Sequence, residues 1–209
     1  MSIFNNKKIL FLGPHADDIE FGSGGLISSI NNISNIYFLT FSFSKISLIK
    51  NYTEKDVKNE VNSSAKILNV SNVLSKNYPT RSFYKFRQAI LEDLVEAKKE
   101  INPDIIFTPS SHDTHQDHCV IYKESFRAFK DRTIFGYEMP LNNRSFSPDF
   151  YFKLNEYNLK KKIDSLNAYS SQMIKKDGLL DMVKATALFR GSQIGQKYAE
   201  SFEVIRIIL

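Results

Sequence analysis

Short apolar runs alternate along the chain with longer segments that carry apolar or small residues on one helical face. The runs have the length and continuous apolar character of buried strands, and the longer segments have the period of helices. The predicted strands are Lys8–Gly13, Asn35–Phe41, Asn72–Ser75, Asp104–Thr108, Ile134–Tyr137 and Phe202–Leu209. The predicted helices are Gly24–Asn31, Thr53–Leu68, Phe86–Ile101, Asp117–Lys130, Asn158–Ser171 and Leu179–Phe189, with a loop at Asn142–Asp149.

This alternation predicts an α/β protein. Strands that are apolar throughout and separated by helices favour a mostly parallel sheet that helices cover on both faces. The 209 residues include 42% hydrophobic and 13% aromatic side chains, enough to fill the core of one ordinary domain. Because no repeat, low-complexity tract or linker-like segment divides the chain, we expect a single domain over residues 1–209.

Charge and cysteine content narrow the range of partners. The net charge is +5, but the lysines are spread along the chain, which indicates solvated faces rather than a nucleic-acid surface. Cys119 is the one cysteine, so no intramolecular disulfide forms, which fits a reducing compartment. The apolar run Ile9–Leu12 is too short for a signal peptide or a membrane span. We expect a soluble, cytoplasmic protein without a membrane partner, and a homo-oligomer is plausible on base rates.

All four histidines fall in two short segments that also contain carboxylates. The segments are Pro14-His15-Ala16-Asp17-Asp18-Ile19-Glu20 and His112-Asp113-Thr114-His115-Gln116-Asp117-His118. Each segment follows a predicted strand. Because loops that leave the carboxyl ends of parallel strands share one edge of the sheet, we expect the two segments to meet there.

The spacing within these segments predicts a catalytic metal site. His15 and Asp18 are three residues apart, and His118 supplies a third ligand from the second segment. Two imidazoles and one carboxylate leave coordination positions open, as in catalytic rather than structural sites. Zn²⁺ is the first choice, although Fe²⁺ uses a similar ligand set and another divalent metal also fits. Cys119 is a weaker candidate ligand.

Three further residues have predicted roles around the metal. We expect Asp17 to act as general base toward water that the ion activates. His115, as imidazolium, is expected to stabilise the oxyanion or protonate the leaving amine. Asp117 is placed to orient one of the ligand imidazoles. Helix capping is the alternative for Asp17, Glu20 and Asp117, because predicted helices begin after both motifs.

The glycines at positions 22, 24 and 25 give a weaker signal. Their spacing is not that of a dinucleotide-binding fingerprint. Tight packing of the first helix against the sheet explains them as well.

At the two motifs the sequence resembles the PIG-L or LmbE-like family of metal-dependent N-acetylglucosaminyl deacetylases. The second motif of that family is intact as His115-Gln116-Asp117-His118, whereas the first has Ala16 in place of proline and Ile19 before Glu20. The likeness continues through Gly22-Ser23-Gly24-Gly25, Asn102-Pro103-Asp104, Arg190-Gly191 and Tyr198-Ala199-Glu200-Ser201-Phe202. The resemblance implies a Rossmann-like fold, zinc on His15, Asp18 and His118, Asp17 as general base, and His115 stabilising the transition state.

The resemblance also implies hydrolysis of the N-acetyl group of an acetamido sugar, such as an N-acetylglucosamine glycoconjugate or a nucleotide sugar. Candidate contacts for an anionic group of this substrate are the guanidinium groups of Arg81, Arg87 and Arg190. Candidates for its hydroxyl groups are Asp113 and Glu138, and Tyr137 and Tyr169 are candidates for the wall of the cleft. The alternatives are an amidase for a larger acyl or thiol-conjugate substrate, an iron-dependent oxygenase, and a non-catalytic binding module that keeps a metal.

Overall fold

A computed structural model describes residues 3–43, 52–173 and 178–208. The strands are β1 Lys8–Gly13, β2 Asn35–Thr40, β3 Asn72–Ser75, β4 Ile105–Pro109, β5 Thr133–Tyr137, β6 Phe150–Leu154 and β7 Tyr198–Arg206. The helices are α1 Asp18–Ile30, α2 Glu54–Ile67, α3 Arg87–Ile101, α4 Gln116–Ala128, α5 Glu156–Asn167, α6 Ser170–Met173 and α7 Leu179–Ser192, with a 3₁₀ turn at Phe83–Lys85.

The strands form one mixed, mostly parallel sheet in the order β3-β2-β1-β4-β5-β7-β6. The first five strands pair in parallel, and β7 runs antiparallel to both β5 and β6. Side chains of β1 alternate between two apolar clusters: Ile9 and Phe11 pack in one, and Leu10 and Leu12 in the other. The sheet is therefore buried on both faces, as the continuously apolar strands predict.

The topology fixes where a ligand can bind. From β1 the chain crosses to β2 and β3 on one side, and β4 returns to the other side of β1 before continuing to β5. Ligands of open α/β sheets bind beside the carboxyl ends of strands at such a reversal of strand order. The two histidine-containing segments leave β1 and β4, so both lie at this position.

Most predicted elements are confirmed with shifts of a few residues at their ends, but four differ, the fourth being the first helix. The strand β6 was missing from the prediction, because its half-exposed Phe-Tyr-Phe run lies at the sheet edge and shows no clear alternation of burial. The last strand begins at Tyr198 rather than Phe202. The predicted helix Asn158–Ser171 is two helices, because the first ends at Asn167.

The first helix begins at Asp18, six residues before the predicted start, and two of its glycines, Gly22 and Gly25, pack against side chains of the sheet, whereas Gly24 packs against Lys162 of α5. A Cβ atom on Gly22 would lie 2.3 Å from the Tyr137 ring, and one on Gly25 would lie 2.5 Å from the Leu154 side chain. Close packing therefore accounts for these glycines, and the dinucleotide interpretation has no support. Among the described residues, no helix is long and apolar enough to cross a membrane.

Candidate metal centre

The two histidine-containing segments meet at the carboxyl ends of β1 and β4. His15 Nδ1, His118 Nε2 and Asp18 Oδ2 form a triangle, which we call the ligand triangle. The distances are 3.2 Å from His15 to Asp18, 3.1 Å from His118 to Asp18, and 3.2 Å between the two imidazole nitrogens. The three residues proposed from the sequence as metal ligands thus converge on one point.

The ligand triangle has the dimensions that a metal ion requires. A tetrahedral ion with bonds of about 2.0–2.1 Å holds its ligand atoms roughly 3.3 Å apart. His15 and His118 also form a group with His115, in which one nitrogen of each ring lies within 4.8 Å of the others and which could hold a metal ion. Asp18 Oδ2 lies 3.1–3.2 Å from the nitrogens of His15 and His118, well within the 4.8 Å that spans the three histidines. The triangle with Asp18 is therefore the tighter donor set.

Each imidazole of the triangle is held from behind by a buried carboxylate. The Asp117 carboxylate lies 3.1 Å from His15 Nε2, and the Asp113 carboxylate lies 2.7 Å from His118 Nδ1. A carboxylate in this position fixes the orientation of a ligand imidazole and raises its basicity. The proposed orienting role of Asp117 agrees with this geometry, whereas the contact of Asp113 with His118 was not predicted.

The charges at the centre stabilise one another strongly. Burial lowers the pKa of His118, but the nearby Asp18 charge and the hydrogen bonds with Asp113 and Asp18 outweigh burial and raise it to about 10. Burial raises the pKa of Asp18, but the His118 and His15 charges hold it well below its usual value. The carboxylates that raise the pKa of His118 also supply negative charge that favours a divalent cation in place of the protons.

Asp17 lies beside the triangle and lines the same cleft. It is buried, and although it occupies the N-cap position of α1, its side chain forms no capping hydrogen bond. The capping alternative for Asp17 therefore fails. Glu20 does not cap either, because it lies in the core, where its Oε1 accepts a hydrogen bond from Ser64 at 2.6 Å and lies 2.8 Å from the Tyr169 hydroxyl.

His115 lies across the cleft and caps helix α4. Its Nδ1 accepts a hydrogen bond from the backbone N–H of Asp117 at 3.2 Å. Burial, together with the charges of His118 and His15, lowers the pKa of His115 to about 4. A pKa of about 4 favours a neutral His115 ring at neutral pH over the expected imidazolium, and because Nδ1 accepts, the neutral ring carries its proton on Nε2.

The triangle opens into a cleft of about 220 Å³. Arg81 lines it, as proposed for a substrate contact. Outside the metal centre, the other residues that line the cleft were not identified from the sequence. Several of them directly follow β2 and β5, and loops at the carboxyl ends of parallel strands commonly bind ligands. The residues not identified are Ala16, Ser42, Phe43, Val57, Thr80, Met139, Leu141, Asn142 and Gln172.

Four of the five proposed substrate contacts are not among the residues that line the cleft. Arg87 forms an ion pair with buried Glu124 between α3 and α4. Arg190 and Glu138 form a buried ion pair with each other at 2.5 Å. Asp113 uses both oxygens inside the protein, accepting from the His115 backbone N–H at 2.8 Å as well as contacting His118.

The two tyrosines suggested for the cleft wall belong to the core. Tyr137 and Tyr169 are fully buried. Their hydroxyl groups donate to the backbone carbonyls of Leu12 at 2.8 Å and Ala16 at 2.7 Å. The Tyr137 hydroxyl thus holds the end of β1, and the Tyr169 hydroxyl holds the first histidine-containing segment. Both tyrosines therefore have a structural role rather than a contact with a ligand.

The protein is thus an α/β protein with a mostly parallel sheet. Two imidazoles and a carboxylate converge at the switch point of this sheet and form a candidate metal centre of the kind that enzymes use. The comparison with protein families identifies the class more closely: residues 10–129 match the PIG-L model, described as GlcNAc-PI de-N-acetylase. Since the match covers more than half of the chain, this protein belongs to the PIG-L family of deacetylases.

One relative by sequence is a deacetylase, and two solved structures share the fold. The chain is 28% identical over 184 residues to the uncharacterized deacetylase YaiS of Escherichia coli K12, covering 82% of this chain and 95% of that protein. The N,N'-diacetylchitobiose deacetylase of Pyrococcus horikoshii has the same fold, with a TM-score of 0.80 and 19% identity over 95% of this chain and 84% of that one. So does GalB, the 4-carboxy-2-hydroxymuconate hydratase of Pseudomonas putida KT2440, with a TM-score of 0.76 and 17% identity over 97% and 98% of the two chains.

Proposed function

We propose that this protein is a zinc-dependent N-deacetylase that hydrolyses the acetamido group of an N-acetylglucosamine-type sugar to acetate and a free amine. The observation that carries the proposal is the ligand triangle of His15, Asp18 and His118, with the Asp17 carboxylate beside it in one cleft. Family membership supports the deacetylation, and the two imidazoles with one carboxylate support a catalytic metal.

When bound, a divalent metal would be held by His15, Asp18 and His118 and would supply Lewis-acid chemistry, polarising the acetyl carbonyl and lowering the pKa of water. The chain itself supplies the proton transfers. Asp17, which does not cap α1, accepts the proton of the attacking water and later delivers it to the leaving amine. His115 donates from Nε2–H to the oxyanion that forms on the acetyl oxygen, a hydrogen bond that a neutral imidazole can also make.

Arg81, Asn142 and Gln172 are the polar side chains that would recognise the rest of the sugar from the cleft wall. Amide groups fit sugar hydroxyls, and a guanidinium binds hydroxyls or a phosphate. Ala16, Phe43 and Val57 form an apolar wall near Asp17 that suits a methyl group. The alternative, an amidase for a larger acyl group, would need that wall to admit a longer chain.

The test is acetate release from N-acetylglucosamine, its 1-phosphate and its nucleotide-linked form, by purified protein with Zn²⁺, with Fe²⁺ and after chelation. We expect metal-dependent acetate production, and Asp17→Asn should lower kcat by about 10²–10⁴-fold because it removes the general base. Asp181→Asn, at a carboxylate that is 85% exposed, is the matched control and should leave the rate unchanged.

The panel also includes N-propionyl and N-butyryl sugars. Faster release of these acids than of acetate would support the amidase alternative. Stoichiometric metal without hydrolysis of any amide would contradict an enzymatic role on this substrate class.

A further inference from the structure

Arg81 has an unusual backbone conformation. Its φ angle is +66°, a left-handed value that residues with a side chain adopt only when their surroundings hold them there. Arg81 is exposed and is one of the residues that line the cleft. Within residues 3–43, 52–173 and 178–208, the guanidinium makes no ion pair or hydrogen bond. A charged group is thus presented to the cleft from a strained position.

Both polar groups of the Arg81 backbone are bound by consecutive residues of α4. The Asp117 carboxylate accepts the Arg81 N–H at 2.6 Å, and it also accepts the Phe83 N–H at 3.3 Å. The side-chain amide of Gln116 donates to the Arg81 carbonyl at 2.7 Å. Asp117 therefore holds both Arg81 and His15, whereas the recorded side-chain bond of Gln116 goes to Arg81 and not to the ligand triangle.

We propose that Gln116 is a positioning residue, which keeps the Arg81 backbone in its left-handed conformation and so keeps the guanidinium in the cleft for the substrate. The proposal rests on the proposed function, since it assumes that a substrate occupies the cleft. Without the amide donor, the peptide after Arg81 is free to rotate, Arg81 relaxes to a negative φ, and the guanidinium leaves the cleft. Gln116 thereby affects substrate binding while the metal ligands stay in place.

Two substitutions at this exposed position separate the hydrogen bond from the bulk of the side chain. Gln116→Met has a similar size but no donor, and Gln116→Lys keeps a donor that reaches the Arg81 carbonyl. Removing one such bond should raise KM for the acetylated sugar about threefold to tenfold, with kcat and metal affinity unchanged. Gln116→Lys should restore KM to near the wild-type value.

A double-mutant cycle with Arg81→Ala tests whether Gln116 acts through Arg81. If it does, Gln116→Met has no further effect on KM once the guanidinium is gone. A general structural effect of Gln116 would instead persist in the Arg81→Ala background, or would lower metal affinity, and either result would overturn the proposal.

Limited proteolysis tests the hold on Arg81 independently of catalysis, because trypsin cleaves after arginine. Gln116→Met should speed cleavage of the Arg81–Ser82 bond about threefold to tenfold, with cleavage after Arg127, on the exposed face of α4, as the internal control. Unchanged cleavage together with unchanged KM would refute the positioning role. Faster cleavage in a protein that releases no acetate would show that the hold exists and that the proposed function is wrong.

Discussion

Both nitrogens of each ligand imidazole are in use in the candidate centre. His15 and His118 each turn one nitrogen to the ligand triangle and the other to a buried carboxylate, Asp117 and Asp113 respectively. Such partners fix the ring orientation and the tautomer, so they influence metal affinity without touching the ion.

Asp113→Asn should therefore weaken metal binding. The neutral amide still fills the space beside His118 Nδ1 but removes the charge that raises its basicity, so the metal dissociation constant should rise by about 10- to 100-fold. Competition with a chromogenic chelator measures this. Asp104→Asn, at an exposed carboxylate at the opposite end of β4, is the control, and equal affinities in the two variants would contradict an orienting role for Asp113.

Glu20 should make the protein less stable as the pH rises. Burial, opposed by hydrogen bonds from Ser64 and Tyr169, raises the pKa of Glu20 from 4.5 to about 7. A carboxyl group with a raised folded-state pKa binds a proton in the folded protein that the unfolded chain has lost. The contribution of Glu20 to stability is therefore greatest below pH 4.5 and declines toward pH 7, by about 3 kcal/mol in total.

Glu20→Gln should remove this decline, since an amide does not titrate. The measurement is urea unfolding of metal-free protein between pH 4.5 and 8, taken as the difference in unfolding free energy between wild type and variant. Other titrating groups cancel in that difference. Glu100→Gln, on the exposed face of α3, is the control. A difference that does not change with pH would show that Glu20 titrates normally.

Helix α1 is the element that links the core to the centre, because it begins at a metal-ligand candidate and packs its glycines closely. Gly22 leaves no room for a side chain beside Tyr137, whose hydroxyl supports the end of β1 through Leu12. Gly22 therefore determines how closely this helix approaches the sheet, and Asp18 lies one turn away on the same helix.

Gly22→Ala should destabilise the protein by about 1–3 kcal/mol, because the new Cβ would overlap the Tyr137 ring and force the helix outward. Chemical denaturation measures the loss. Ser29→Ala, on the exposed side of the same helix, should change stability little and separates packing from helix propensity. Equal stabilities for the two variants would mean that the helix moves without cost.

The regular elements were predictable where one physical signal dominated. Short runs with apolar central residues located β1 to β5 to within one residue at each end. The strand β6 was missed because it lies at the sheet edge and is only partly buried. The start of β7 was missed for a different reason, since the buried residues Glu200 and Ser201 are polar and interrupt the apolar pattern. Helix α1 was predicted to start late, since buried Asp18 and Glu20 interrupt its apolar pattern for reasons of chemistry rather than packing.

At the scale of the whole molecule, the order of the strands determines the site. The ligand triangle was predictable because its members sit in two clustered motifs that leave adjacent parallel strands at the switch point. The residues of the cleft wall were not predictable, because ion pairs such as Arg190 with Glu138 and Arg87 with Glu124 join side chains that are distant in sequence. An arginine that satisfies a buried carboxylate and one that faces a ligand look alike in sequence. A single domain over residues 1–209 stays a prediction.

The most direct test of the central claim is a titration of Zn²⁺ into chelator-stripped protein with acetate release as the signal. The account predicts no activity without metal, a rise that ends at one equivalent per chain, and no rise in His118→Ala, which lacks one corner of the ligand triangle. Stripped protein that releases acetate as fast as reconstituted protein would contradict a metal-dependent deacetylase.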